Sequence, residues 1–175
     1  MRLRSLLAVI AACGATSCGA VTEPSQIDVV LETEAAVIQA RQDTSIQSSS
    51  GRPIVWLSMT VPLSIRNTGD RTIYFRPCGA KVLERRQGDG TWHRAWSPIC
   101  PAILTPPDSV VAGSEWRGDL HVMGARSGPG GPPFDAASVA GTYRVVLHAT
   151  TSAAGLPVGS IEEMRVSSRP FRVQP

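Results

Sequence analysis

From Leu57 to Ile65 apolar and polar residues alternate. Leu57, Met59, Val61, Leu63 and Ile65 are interleaved with Ser58, Thr60, Pro62 and Ser64. A period of two places the apolar set on one face of a strand. Pro62 lies on the polar face and has no N–H to give a ladder, so the strand is expected at an edge or with that position turned away from its neighbour. Asn67-Thr68-Gly69-Asp70 supplies turn chemistry, and alternation resumes with Ile73 and Phe75. Such a link makes a tight hairpin or an arch between two sheets; the arch is the expectation.

The same pattern recurs downstream. Lys81 to Arg86 leads into Gln87-Gly88-Asp89-Gly90-Thr91, a three-residue hairpin turn with Gly90 at the left-handed position. Centred on Asp89, the register sets Arg86 opposite Trp92, Glu84 opposite Arg94 and Val82 opposite Trp96, and brings Cys78 near Cys100. Trp116, Gly118, Leu120 and Val122 share one face, as do Tyr143, Val145 and Leu147. Met164, Val166, Phe171 and Val173 are further core candidates. Ile27 to Gln42 mixes helical propensity around Ala35-Ala36 with clustered β-branched residues, and strands are expected there. Residues 43–51 and 97–113 read as loops, and 124–141 as an exposed Gly/Pro-rich excursion.

Composition fits this reading. The chain has 175 residues, with 16 Gly and 14 Pro, the latter two falling between short apolar runs. That spacing suits a sandwich or barrel, and one domain over 27–175 is expected. Of 17 basic residues only Lys81 is a lysine, and the formal net charge is +3. Without Arg2 and Arg4 it falls to +1, which lacks the electrostatic footprint of a nucleic-acid binder.

Arg2 and Arg4 belong to a leader. A short positive region precedes the apolar run Leu6 to Ala12, and small residues follow with Cys13 and Cys18. This is a secretory signal too short to span a membrane. Its order resembles a bacterial lipoprotein signal, in which small residues precede a cysteine that is diacylated and becomes the new N-terminus. Cys13 has the better residue three places before it; Cys18 leaves the more normal apolar length and is the expected lipid site. Ordinary cleavage without lipid is the bland alternative. The expected layout is a signal peptide over 1–18, a tether over 19–26, and the domain. The resemblance implies a membrane anchor, at the outer membrane where the source has two membranes. In an exported protein the remaining Cys78 and Cys100 most often form a disulfide.

The order of elements is also informative. An alternating strand ends in Asn67-Thr68-Gly69-Asp70, a hairpin leads to Gly90-Thr91-Trp92, Ala112-Gly113-Ser114 precedes a strand, and Gly141-Thr142-Tyr143-Arg144-Val145 comes near the end. Over roughly 54–173 this resembles the immunoglobulin-like sandwich of many bacterial surface lipoproteins. It is also similar to the domain of the intracellular proteinase inhibitor (BsuPI) family. The resemblance implies an all-β immunoglobulin-like sandwich of about seven to nine antiparallel strands. Cys78 and Cys100 depart from the immunoglobulin pattern, being too close in sequence to join distant strands. No inhibitory loop residue carries over.

Candidate chemistry is sparse. G-x-S-x-G and H-E-x-x-H are absent from the sequence. His93, His121 and His148 fall on expected strands, where a lone His is far more often a surface or core residue than a ligand. Asp28, Glu32 and Glu34 read as a solvated face, without the loop spacing of a calcium site. The four tryptophans are the most suggestive residues, since aromatics on a sandwich stack on sugars or anchor partners; core and rim packing is the plainer account. No catalytic, metal or cofactor residue is assigned. The expectation is a lipid-anchored, non-enzymatic binding or structural module of the cell envelope. Its expected partners are the membrane and another envelope protein. A proteinase inhibitor is the first alternative, and a small hydrolase or metal-binding domain the second.

Overall fold

The computed structural model describes residues 28–46, 51–102, 105–126, 131–153 and 164–175. The signal segment, Cys13, Cys18 and the tether lie outside the described residues. Every described element is a strand: β1 (Val29–Thr33), β2 (Val37–Gln39), β3 (Arg41–Ile46), β4 (Pro53–Asn67), β5 (Ile73–Phe75), β6 (Lys81–Arg86), β7 (Trp92–Trp96), β8 (Asp108–Val110), β9 (Glu115–Ala125), β10 (Gly141–Ala149), β11 (Met164–Ser167) and β12 (Phe171–Gln174). The fold is an all-β sandwich. In the first sheet β9 runs along one side of β4, while β1 and β3 share the other. The second sheet has the order β2-β12-β10-β6-β7, with β11 also beside β10, and β5 and β8 form a short ribbon.

The alternation in β4 does what its period requires. Leu57, Met59, Val61, Leu63 and Ile65 are all buried. They meet Leu83, Tyr143, Val145, Leu147, Phe171 and Val173 of the second sheet in one core. β4 is the central strand, yet it carries Pro62. The carbonyl of Pro62 accepts from the Glu34 amide at 3.3 Å, so the missing N–H faces the same flank. That flank is a gap, because β1 pairs only Leu63 to Asn67 and β3 only Pro53 to Ser58. The proline therefore costs no ladder bond.

The gap exists because the N-terminal chain changes sheets. β1 lies in the first sheet; β2 then pairs parallel with β12 in the second, and β3 returns to the first. Hydrogen bonds from Arg172 N to Ala36 O (2.8 Å) and from Ala40 N to Gln174 O (2.7 Å) fix the excursion. Strands thus replace the helical option at Ala35–Arg41. This splitting, with the β5–β8 ribbon and the broken β11–β12 edge, raises the strand number above the seven to nine expected. Each piece is too short to pair along a full sheet.

Asn67 ends β4 and begins the arch. The chain leaves the first sheet there and re-emerges as β5, which pairs β8 and bridges Thr150 just after β10. The β6–β7 hairpin keeps the expected register at Arg86–Trp92 and Glu84–Arg94. Gly90 takes φ 86°, and Asp89 accepts from the Thr91 amide (2.9 Å) and hydroxyl (2.6 Å). Beyond Glu84 the register shifts, and Trp96 faces Leu83 rather than Val82. The extra residue is Ala95. A bulge at this point turns both Ala95 and Trp96 into the core.

The described part of the stretch after β9, residues 131–140, is mostly exposed as expected, but it is anchored at two points. Phe134 and Val139 are buried in the main core. The Ala125 amide donates to Pro132 O (2.9 Å), Phe134 N to Ala125 O (3.1 Å) and Asp135 N to Ala95 O (2.8 Å). These two side chains anchor residues 131–140 to the core while most of the segment stays exposed. The Arg85 and Arg126 guanidiniums hold the Ala140 and Ala137 carbonyls.

Candidate functional site

A charged groove crosses the outer face of the first sheet at its β1 end. Glu32, Thr33, Glu34, Ser64, Arg66, Glu115, Arg117 and Arg169 line a cleft of about 440 Å³. The sheet register builds it. Glu32 and Arg117 flank Ser64 on opposite sides, and Glu115 stands beside Arg66. Arg169 comes from the turn between β11 and β12. Arg117 bridges two carboxylates, Glu34 at 3.3 Å and Glu115 at 3.2 Å. Its side chain stays 67% exposed, so these pairs hold the groove's shape only weakly. Three carboxylates and three guanidiniums balance, which suits a zwitterionic ligand or a charged partner surface. Among the described residues that line it, neither the Ser64 nor the Thr33 hydroxyl is hydrogen-bonded to a carboxylate.

A second charged cluster lies on the outer face of the second sheet. Glu84 accepts from Arg144 Nε (2.9 Å) and Nη2 (2.7 Å), and from Arg165 Nη2 (2.5 Å). Its side chain is 12% exposed. Burial pushes the carboxyl up, but the hydrogen bonds from Arg165 and Arg144 outweigh it and hold the group below the usual carboxylate range. The Arg144 guanidinium sits 4.4 Å from the Trp92 ring centre. This cluster is closed upon itself, and is a strap joining β6, β7, β10 and β11.

Lys81 is enclosed. Its ammonium lies 4.5 Å from the Phe75 ring centre and 4.6 Å from that of Trp116. Burial lowers its pKa, and the Asp108 charge works against that. The lysine joins β6, the β5–β8 ribbon and β9.

The tryptophans settle as packing residues. Trp96 is buried and donates to Met123 O at 3.0 Å. Trp116 packs edge-on to Phe75. Trp56 is half-buried with its indole donating to Ser45 Oγ at 2.8 Å, and Trp92 carries Arg144. The histidines do not converge: His93 and His148 belong to the second sheet, and His121, on the first, lies 3.3 Å from the Thr60 hydroxyl. Among the described residues no group of three His, Cys, Asp or Glu side chains has metal-binding geometry. Cys78 and Cys100 form a disulfide, with Cα atoms 5.7 Å apart. Cys18 lies outside the described residues. Sequence reading missed the groove, because Glu32, Arg66, Glu115 and Arg169 come from four separate segments. Glu32 and Glu34, from one early segment, were read only as a solvated face.

No family model matches the chain, and no curated protein matches it. Among solved structures it is similar to a target of the Northeast Structural Genomics Consortium at 9% identity. That alignment covers 84% of this chain and 86% of the other, with a TM-score of 0.42. A Bordetella pertussis protein described as ApaA aligns at 12% identity over 86% of this chain and 97% of the other, with a TM-score of 0.41. Both are weak likenesses to β-rich structures, and no activity follows from either.

Proposed function

We propose that the mature chain is an exported, lipid-anchored, non-enzymatic binding or structural module of the cell envelope, anchored through Cys18. The observation that carries this reading is the Cys78–Cys100 disulfide downstream of an apolar leader ending in cysteine. Structural disulfides persist in oxidising compartments, and acyl chains provide durable anchoring at about 0.8 kcal/mol per buried CH₂. The charged groove is the surface this module offers to a ligand or envelope partner. Intact mass of protein recovered from membranes, with and without reductant and alkylating reagent, tests the reading. A diacylglyceryl mass on Cys18 is expected, with Cys78 and Cys100 unreactive until reduced. An unlipidated product in the medium overturns the anchor.

A proteinase inhibitor similar to the BsuPI type is the second reading, and one observation favours it. Ile99 is 66% exposed between Pro98 and the disulfide-bonded Cys100, an apolar side chain on a pinned, proline-flanked loop. Inhibition assays against a panel of proteinases, with Ile99→Asp as control, test it. Absence of inhibition by the wild-type chain removes this reading.

A further inference from the structure

The outer edge of β9 is an open strand of defined length. β9 pairs only β4 among the described strands. The first-sheet register turns the backbone of Gly118 and Leu120 toward β4. The N–H and C=O groups of Glu115, Arg117, Asp119 and His121 therefore point away from the sheet. The open run has two stops. At one end Gly113, the next position in the outward series, is turned back and donates its amide to Asn67 O; at the other Met123 O accepts from the Trp96 indole. Ala125 is bonded to Pro132 and Phe134. Among the described residues, what remains without an outward backbone partner is Glu115 to His121, and its midpoint is Gly118.

That run is also a charge palindrome. It reads Glu115-Trp116-Arg117-Gly118-Asp119-Leu120-His121. When two copies pair antiparallel about a two-fold axis through Gly118, Arg117 of each copy faces Asp119 of the other. Glu115 then faces His121. All four side chains lie on the outer face and are exposed. Opposite charges directly across a ladder stabilise it, and like charges there destabilise it. Shifting the two-fold axis one residue along to Asp119 opposes Arg117 to His121 and Asp119 to itself. The middle of the open edge and the centre of the charge pattern thus coincide, and the usual blunting devices of an edge, proline and inward charge, are missing from this run.

We propose that β9 is a self-association edge, on which a second copy of this chain pairs antiparallel about Gly118 and joins the two first sheets into one. The interface is isologous, so each substitution acts twice. Arg117 then serves Glu34 and Glu115 of its own chain and Asp119 of the second copy, which its five donors permit. The two charged grooves lie side by side across the axis.

Sedimentation of the purified mature chain between about 1 µM and about 1 mM tests this, a range suited to a small transient interface. A reversible dimer is expected, weakened by added salt. Hydrogen exchange of the Arg117, Asp119 and His121 amides should slow as concentration rises. Asp119→Arg opposes two guanidiniums in each copy and should weaken association about tenfold or more. Asp119→Pro removes an outward N–H and should abolish association; if it fails to fold, Asp119→Arg still decides. A chain that stays monomeric throughout overturns the proposal. So does a dimer that Asp119→Arg leaves intact, or protection that appears elsewhere. Capture of an extended peptide by β9 without self-association counts against it equally.

Discussion

Asn67 is fully buried, and every polar group of its side chain is in use. Its Nδ2 donates to Arg71 O at 2.7 Å and to Val110 O at 2.9 Å, while Oδ1 accepts from Gly69 N at 3.2 Å. Its own backbone bonds Ser114 O and Gly113 N. The side-chain amide thus joins the end of β4 to the arch and the end of β8, while the backbone of the same residue holds the turn before β9. Asn67→Ala strips a donor from two carbonyls and an acceptor from one amide. A buried carbonyl left unpaired costs about 1–3 kcal/mol. The Val110 carbonyl lies in the buried part of this network and counts toward the upper end, the Arg71 carbonyl toward the lower. A total loss of about 3 kcal/mol is expected.

Asn67→Asp separates geometry from hydrogen-bond direction. The carboxylate has the same shape and keeps the acceptor for Gly69 N, but both donors become acceptors facing carbonyls. Above neutral pH it should be worse than Asn67→Ala, because a desolvated charge is added. Burial and the facing carbonyls raise the pKa of the new carboxyl above its unfolded value of about 3.9. The folded state then binds the extra proton, so stability falls as pH rises through the window from that value to the folded pKa. Urea unfolding followed by tryptophan fluorescence at pH 4 and pH 8 measures both effects, with a constant m-value as the check on two-state behaviour. Thr68→Ala, at the neighbouring exposed position, should change stability by less than about 0.5 kcal/mol. A loss below about 1 kcal/mol for Asn67→Ala, or an Asn67→Asp variant indifferent to pH, would refute the reasoning.

Three further perturbations have definite signs. Replacing Cys78 and Cys100 by serine opens a cross-link with a sequence separation of 22 residues, and chain entropy predicts a loss of about 3 kcal/mol in chemical denaturation. Glu84→Gln should cost about 1–2 kcal/mol at pH 7, since two guanidiniums lose their carboxylate. The Glu84 pKa is depressed on folding. Its contribution is therefore complete above the unfolded value and lost as pH falls through the folded one, so wild type and variant should converge in acid. Lys81→Met exchanges a cation between two rings for an apolar chain of similar length. Lost cation–π attraction and relieved desolvation oppose each other, and the net at pH 7 should stay within about 1 kcal/mol. The Lys81 pKa is lowered on folding, so wild-type stability rises as pH climbs from the folded value towards 10.5; thermal melts of the variant should lack that rise.

Period-two alternation located β4, β9 and β10 and their inward faces, because burial on one side of a pleat leaves a direct trace in the chain. The hairpin register at Glu84–Arg94 was equally visible, since turn length sets it. What escaped were features that depend on segments far apart. The bulge at Ala95 is decided by the core's demand for two consecutive buried residues, not by the turn. The stretch 124–141 read as an exposed excursion because of its glycines and prolines, a composition that did not show that Phe134 and Val139 would be anchored in the core. The groove has no sequence signature, for its guanidiniums come from β4, β9 and the β11–β12 turn. Pro62 posed the right question, of edge or averted position. Its answer needed the excursion of β2 to the second sheet, which opens a gap beside a central strand.

The edges of the two sheets are managed differently, and this bears on how the molecule meets others. β3 exposes Arg41, Gln42, Asp43, Thr44, Ser45 and Ile46 in succession, an edge with no charge symmetry to favour a second copy. β7 is covered at its core end, where Asp135 N bonds Ala95 O and the Trp96 indole reaches across to Met123. β2 is short and closes by parallel pairing with β12. Only β9 among these presents a longer run of outward backbone groups, and there charges of both signs alternate along the outer face. Such alternation penalises most registers and rewards one. An edge evolved solely against association would carry one sign of charge, or a proline such as the one β4 accommodates beside its gap. The sign pattern of β9, more than its exposure, is what distinguishes a guarded edge from a selective one.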